Sequence, residues 1–379
     1  MQIRRLGLTG FRSYRALEVE LPPGPQVVFG ANAAGKTNLL EAIVLAGRGL
    51  SHRAGSDAEL ITWGEPFARV EVELVTAGGR QERIELALLR EGPGRKRVRI
   101  NGVPRRTSAL AATLPLVLFA PEEMLLVAGS PSLRRASLDA LGAARSPAHG
   151  RSLATYARAL QQRNSLLRAI RDGLADPNGL AYWDRLVVEE GGGIVAERLA
   201  LLEALARPLA AAHAEIAPDE GRLGLRYVTN APALEDETPA DALRRRLAET
   251  RDKELWNGAT LVGPHRDDVT FVLDERELAG FGSRGQQRTA ILALKLAELE
   301  LLTSVESGPP LLLLDDVFSE LDPERRSHLV RRIRALPQAI VTTTTLADLD
   351  PELVAESTAW RVSPGRLERV AGAAVAGLT

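Results

Sequence analysis

Short apolar runs and alternations fill the first thirty residues. Positions 3–8 and 17–21, and Val27-Val28-Phe29 after a Pro-Pro-Gly turn, carry the signals of strands. The period then lengthens: Leu39, Leu40, Ile43 and Val44 recur at helical spacing and predict a helix over about 36–46. From Arg69 to Ile100 alternation returns in "ARVEVELV", "ERIELALL" and "KRVRINGV", which predicts a half-buried antiparallel meander with turns at Gly78-Gly79 and Asn101-Gly102. It leads into an apolar strand, "LPLVLFAP", at 114–121. From Ser132 to about Arg251, alanine, leucine and arginine at helical spacing predict a helical insertion. Breaks are expected at Asp176-Pro177-Asn178-Gly179 and at Gly191-Gly192-Gly193, with a small hairpin near 224–229. Strand patterning resumes at 269–273, a long helix covers about 285–302, and "PLLLLDD" at 310–316 reads as a short buried strand, followed by another at 339–343. No internal repeat of solenoid length is visible.

Composition adds boundaries to that picture. With 379 residues, 45% of them hydrophobic, the chain can bury a sizeable core and is expected to form two or more lobes. It has no cysteine, which removes disulfides, thiolate metal sites and cysteine nucleophiles and suits a reducing compartment. The N-terminal stretch lacks a signal-peptide core and no run is apolar enough to span a bilayer, so a cytoplasmic protein without a membrane partner is expected. A net charge of -1 provides no global basic field, and contact with nucleic acid must then rest on local patches. Arginine replaces lysine almost throughout, 44 against four, which points to a GC-rich genome rather than to a task.

One of those four lysines sits in "GANAAGKTNL". Gly30, Gly35, Lys36 and Thr37 match the phosphate-loop pattern, between a predicted strand and a predicted helix, where roughly 0.003 chance matches are expected for this composition. Glycines let the backbone curl so that its N–H groups converge on phosphate oxygens, and the helix N-terminus adds positive potential. The candidate cradle for ATP is Gly30, Asn32, Ala33, Ala34, Gly35, Lys36, Thr37 and Asn38, with Lys36 on the β- and γ-phosphates and the Thr37 hydroxyl on Mg²⁺. "LLLLDDVFSELD" supplies the partner carboxylates: Asp315 to hold Mg²⁺ and Asp316 to orient the attacking water, at the carboxyl end of a buried strand. Lys36 and Asp315 lie 279 residues apart, so something large separates the two halves of one site. A third stretch, "GFGSRGQQRT", places Ser283 as the N-cap of the long helix, with Gly285 and Gln286 beside it.

This ordered set, S-x-G-Q before a helix, then an apolar strand ending in two acids, then Ser319-Glu320-Leu321-Asp322, resembles that of the ABC-type ATPases. The resemblance implies that the signature of one subunit, Ser283, Gly285 and Gln286, closes over the γ-phosphate on the loop of another, so that ATP joins two heads. Within that superfamily the chain is similar, over nearly its whole length, to the RecF recombination-mediator family. The likeness rests on "GFRSY" (10–14), "GKTNLLEAI" (35–43), "SHR" (51–53), "FAPEEMLLVAGSPSLRR" (119–135), "GPHRDD" (263–268), "GSRGQQRT" (282–289) and "LLLLDDVFSELD" (311–322). It implies an α/β fold: an ABC-type P-loop ATPase head formed from N- and C-terminal parts, at 1–128 and 256–379, with a mainly helical arm inserted at 129–255. It implies an ATP-driven homodimer around double-stranded DNA, including single-strand/double-strand junctions, slow hydrolysis, and work with RecR and RecO in loading RecA during gap repair. Three departures stand out. Asp316 replaces the usual glutamate, a Thr342-Thr343-Thr344-Thr345 run stands where a histidine is usual, and Pro121-Glu122-Glu123 replaces the glutamine loop.

Two basic series are candidates for DNA. "REGPGRKRVRINGVPRR" at 90–106 sets seven basic residues against one acid on a predicted hairpin, which reads either as a phosphate-binding patch or as a solvated face. Arg151, Arg158, Arg163, Arg168 and Arg171 do not fall on one helical stripe. Aromatics are 4% of the chain and do not interleave with either series, which argues against stacking on single strands and for contact with the duplex backbone. His265 with Asp267 and Asp268 reads either as a structural turn or as a metal site. Two rival readings remain: the nucleotide-binding subunit of a membrane transporter, and a P-loop kinase or small-molecule enzyme.

Overall fold

The computed structural model describes residues 1–92, 94–304 and 308–370. Pro93, in the expected basic hairpin, and 305–307 and 371–379, in the expected C-terminal part of the head, lie outside the described residues, as does the side chain of Glu320. Two compact units result: residues 1–124, 214–218 and 291–379, and residues 125–213 and 219–290.

The first unit holds two sheets. One has the order β15-β14-β3-β13-β12-β8 and is built from both ends of the chain: β3 (Gly24–Phe29), β8 (Leu116–Phe119), β12 (Leu311–Asp315), β13 (Gln338–Thr343), β14 (Thr358–Ser363) and β15 (Arg366–Arg369). All but β15 run parallel, with Thr342 opposite Val28 and Leu314 opposite both Val341 and Phe119. Leu311 to Leu314 are buried, as expected of a strand covered on both faces. The other sheet is the meander, extended by the N-terminal hairpin: β2 (Tyr14–Glu20), β1 (Gln2–Phe11), β4 (Phe67–Val75), β5 (Gln81–Leu89), β6 (Lys96–Ile100) and β7 (Val103–Arg105), in that order. Its alternation puts Val70, Val72 and Leu74 inside and Arg69, Glu71 and Glu73 outside.

The helix Lys36–Arg48 shares one continuous core with both sheets, and Leu39, Leu40, Ile43, Val44 and Leu45 are all buried in it. Each contributes about 1.5–3 kcal/mol relative to exposure. Buried Gln338 links the sheets through the backbone, accepting from Ile3 N at 2.7 Å and donating to Ile3 O at 3.0 Å.

The second unit carries the helices Pro131–Arg145, Pro147–Arg171, most of Leu180–Ile216, and Pro239–Asn257. Two expectations change here. The helix does not break at Gly191-Gly192-Gly193 but runs through them. A Cβ at Gly191 would meet Leu243 Cδ2 at 2.8 Å, and one at Gly192 would meet Ala240 Cβ at 2.6 Å, so these glycines serve close helix packing rather than chain reversal. The segment near 224–229 forms no local hairpin; β9 (Leu223–Val228) pairs with β10 (Asp268–Leu273), which continues to β11 (Arg276–Glu277). A period-two pattern marks a strand without naming its partner.

Two motifs with no obvious chemistry meet in this unit. Arg134 grips Asp268 with two hydrogen bonds of 2.8 Å, and Arg135 donates to Asp267 O at 2.7 Å. Tyr227 donates to Asp267 Oδ2, while His265 Nδ1 lies 2.7 Å from the Tyr156 hydroxyl. The "SLRR" and "GPHRDD" runs are thus one cross-linked network with protein partners. Arg163, from the second basic series, is buried against Asp184 and Glu254 and belongs to the core.

Burial lowers the pKa of His265 to about 4. Between about pH 6.5 and 4 the unfolded chain therefore binds a proton that the folded chain refuses, and stability is lost as pH falls through that window. Thermal midpoints of the full chain are expected to fall more steeply with acid than those of His265→Gln. The difference integrates to about 3 kcal/mol. Parallel pH profiles of the two proteins would contradict it.

Candidate nucleotide site

β3 delivers the chain to Gly30, whose N–H donates to Thr343 O at 3.4 Å, and the loop turns through Ala33 (φ +63°) and Gly35 (φ +116°) into the helix at Lys36. Glycine is required at both ends. A Cβ on Gly30 would strike Val362 O at 2.5 Å; one on Gly35 would lie 2.9 Å from Ser13 Oγ and 3.1 Å from Tyr14 OH. Gly35 caps the helix without a side-chain acceptor, so the N–H groups of its first turn have no intrahelical partner and face the loop's concavity. Lys36 lies across that concavity, donating to Gly30 O at 2.7 Å and Ala31 O at 3.1 Å. Burial lowers its pKa, an effect that Asp316 and then Asp315 oppose, so both carboxylates are within electrostatic reach of the ammonium.

The "GFRSY" run has a structural task that its residue types did not reveal. Tyr14 OH donates to Gly35 O at 3.0 Å, Asn38 donates to Ser13 Oγ at 2.9 Å, and Arg12 holds buried Glu41 of the same helix with two bonds of 2.8 Å. Burial pushes the Tyr14 hydroxyl up to about 12, so it stays a neutral donor. An aromatic with a hydroxyl beside a turn was the available signal.

The strand order puts β13 between β3 and β12, so Asp315 and Asp316 emerge one strand away from the loop, at the same carboxyl edge. Asp315 is buried and accepts from the Thr342 hydroxyl at 2.5 Å. Asp316 follows with a left-handed φ of +52°, its N–H donating to Thr342 O and Oγ1 at 3.2 and 3.1 Å. Of the threonine run, Thr342 thus orients the carboxylate, Thr343 donates to Thr345 O, and Thr345 caps the turn at Ala347. Among the described residues no cluster of three or more His, Cys, Asp or Glu forms a metal cage. One buried carboxylate with the half-buried Thr37 fits a hard cation that completes its shell with phosphate and water.

Ser283, Gly285 and Gln286 belong to the second unit. Ser283 N donates to Gln286 Oε1 and Gln286 N to Ser283 Oγ, a reciprocal cap on the helix Arg284–Thr303. Ser283 and Gly285 are exposed, and a Cβ on Gly285 would meet only Ser283 Oγ at 3.7 Å. Among the described residues nothing stands close enough to require glycine there.

Further along that helix, in the first unit, Lys295 is buried with Glu123 at 2.5 Å and Glu298 at 3.1 Å. Burial raises both carboxyls; Lys295 overcomes this at Glu123, which is held below its ordinary value, but not at Glu298, which stays raised. The Pro121-Glu122-Glu123 segment is therefore pinned to the helix Arg284–Thr303 by a buried ion pair. The scarcity of lysine was the signal that reasoning from the strand pattern passed over.

A phosphate loop and a carboxylate strand on one parallel edge, with a capped S-x-G-Q helix, define an ABC-type ATPase head. The family described as RecF/RecN/SMC N terminal domain matches residues 2–350. The DNA replication and repair protein RecF of Heliobacterium modesticaldum is 40% identical, covering 97% of this chain and 99% of its own length; that of Chloroflexus aggregans is 39% identical with the same coverage. A structure of the recombination mediator protein RecF-ATP superposes with a TM-score of 0.88 at 29% identity over 97% of each chain. An Smc head bound to the C-winged helix domain of ScpA, at 16% identity and a TM-score of 0.53, shares the fold. The chain belongs to the RecF family.

Replacing Lys295 by Met strands the Glu123 charge in the core and is expected to destabilise the chain by about 3–5 kcal/mol. Adding Glu123→Gln should recover most of that loss. Urea midpoints read both, and a double variant no more stable than the single one would contradict the pairing.

Proposed function

We propose that the chain is an ATP-dependent DNA-binding protein of recombinational gap repair, in which two copies close around duplex DNA when ATP is bound and part after slow hydrolysis. The carrying observation is that Lys36 and the carboxylates Asp315 and Asp316 meet at one sheet edge. When bound, ATP with Mg²⁺ supplies the polyanion that the loop from Gly30 through Asn32, Ala33, Ala34, Gly35 and Asn38 is shaped to neutralise. Lys36 would exchange its two backbone carbonyls for phosphate oxygens, and Thr37 and Asp315 would hold the metal, with Thr342 fixing the Asp315 oxygen. Asp316 would orient the attacking water. Being one methylene shorter than glutamate, it favours slow turnover.

Ser283, Gly285 and Gln286 would complete the site of a second copy; the unneeded glycine at 285 supports an approach from outside. We take residues 1–128 and 256–379 as the functional head and 129–255 as its arm, although contacts group 256–290 with the arm. RecR, RecO and RecA would be its partners by family likeness, a reading supported by the similar solved protein, the recombination mediator protein RecF-ATP in the RecFOR pathway.

The DNA reading rests on the meander's outer face. Across it, Arg5 pairs with Glu18 and Glu73, and Arg69 and Arg83 pair with Glu71 and Glu85. Towards the β6–β7 edge the balance ends. Arg90 and Lys96 are spent on internal contacts, but exposed Arg95, Arg97 and Arg99 have no ion pair among the described residues; Arg105, opposite buried Val98, lies on the other face. Such an edge suits phosphates, without reading sequence.

Sizing the full chain with and without ATP is expected to show a dimer only with ATP, lost in Lys36→Met and prolonged in Asp316→Asn. Lys36→Met that still dimerised and bound DNA with ATP would sink the proposal. Charge reversal at Arg97 and Arg99 together should weaken duplex binding and reduce the slope of log affinity against log salt by about 2. An unchanged slope would remove this edge from the DNA contact.

A further inference from the structure

Trp63 is 93% exposed, in a chain with four tryptophans. An indole left fully in water forgoes the burial that usually places it inside. Its mount, however, is rigid. Thr62 N donates to Gly10 O at 2.8 Å and Thr62 Oγ1 to Arg12 O at 2.8 Å, while Glu65 N closes a turn on Thr62 O at 3.0 Å with Gly64 at φ +83°. From the far side Arg90 clamps the same turn, its Nε donating to Glu65 O at 3.1 Å and its backbone N to Pro66 O at 3.0 Å. An ordered turn presenting one large flat side chain has lost little freedom left to lose on binding, which favours a contact residue over an incidental one.

The position of that turn indicates what it contacts. Phe67, which follows it, pairs with Leu89 of β5, and Leu89 N donates to Arg95 O at 2.7 Å, so Trp63 stands at the sheet end where the β5–β6 connection begins its basic edge. Along the chain Trp63 is some thirty residues from those arginines, and only the sheet brings them to one end. The argument from non-interleaved aromatics against base stacking fails at this residue. A protein surface apolar enough for an indole would desolvate the unpaired guanidinium groups without compensating them. A nucleic acid offers both complements: phosphates to the arginines and the face of a base to the indole. Inside a duplex those faces are already stacked, so the base must be terminal or unpaired.

We propose that Trp63 is a stacking platform for the first unpaired or terminal base of a DNA whose duplex backbone lies on the Arg95–Arg97–Arg99 edge, which makes the end of a duplex, not its interior, the structure selected. This inference rests on the reading of that edge as a duplex-binding surface.

The test uses the full chain with ATP and two labelled DNAs of equal length. One is a covalently closed circular duplex with no end and no unpaired base; the other is the same duplex in linear form with a single-stranded extension and 2-aminopurine at its first unpaired position. Wild type is expected to prefer the extended DNA and to quench the 2-aminopurine. Trp63→Ala should lose about tenfold in affinity for the extended DNA, the order of one stacked base, and lose the quenching, while its closed-duplex affinity and salt slope stay unchanged. Trp63→Phe should keep most of both signals. Trp63→Ala indistinguishable from wild type on the extended DNA would overturn the inference alone. So would equal weakening on both DNAs, or a loss of ATP-dependent dimer mass with unaltered quenching, which would assign the indole to a protein contact. Wild type that binds ATP but neither DNA would overturn the functional reading beneath it.

Discussion

Everything at the nucleotide edge depends on the parallel pairing of β3 with β13 and of β13 with β12. Those strands come from opposite ends of the chain, and the hydrogen bonds between them bring Lys36 and Asp315 to one place although 279 residues separate them. Parallel strands require covered faces, and the cover on one face is the loop's own helix, whose leucines and Ile43 fill the space between the two sheets. The helix that opens at Lys36 is thus also the centre of the core. Buried Gln338, bonded to both backbone groups of Ile3, ties that core to the N-terminus.

Charge is handled in two contrasting ways. Inside, several ions are paired: Glu41 has Arg12, Lys295 has Glu123, and Arg163 has Asp184 and Glu254, while Lys36 leans on backbone carbonyls at the loop. Desolvation penalises a buried charge left without a partner. On the outer face of the meander arginines and glutamates pair across β1, β4 and β5, and beyond β5 exposed arginines remain without ion pairs among the described residues. A chain of net charge -1 can therefore still present a concentrated cationic line. The same turn of β1 and β2 that supports the Trp63 mount through Gly10 and Arg12 also supports the phosphate loop through Ser13 and Tyr14, so the two surfaces share a scaffold.

Much of the fold was legible in advance because its signals are local. The loop helix, the meander, the buried leucine strand and the capped helix after Ser283 follow from period and capping chemistry within a dozen residues each. Misreadings arose where a residue answers to a distant neighbour. Gly191 and Gly192 look like a break but are spaces made for Ala240 and Leu243. The strand at 223–228 waits for β10, some forty residues on. Thr342 looks like an ordinary β-branched strand residue until Asp315 is set beside it.

By itself the sequence determined the chemistry on offer: a glycine loop with a lysine and a threonine, paired acids after a buried strand, a serine-capped helix, and family membership through motifs in fixed order. Those are properties of short segments, set by covalent spacing. Tertiary structure alone decided who meets whom: Tyr14 with Gly35, Arg134 with Asp268, and Lys295 with Glu123. The physical reason is that such contacts follow from the pairing of whole strands and helices through a shared core, and no periodicity in one segment carries the address of another.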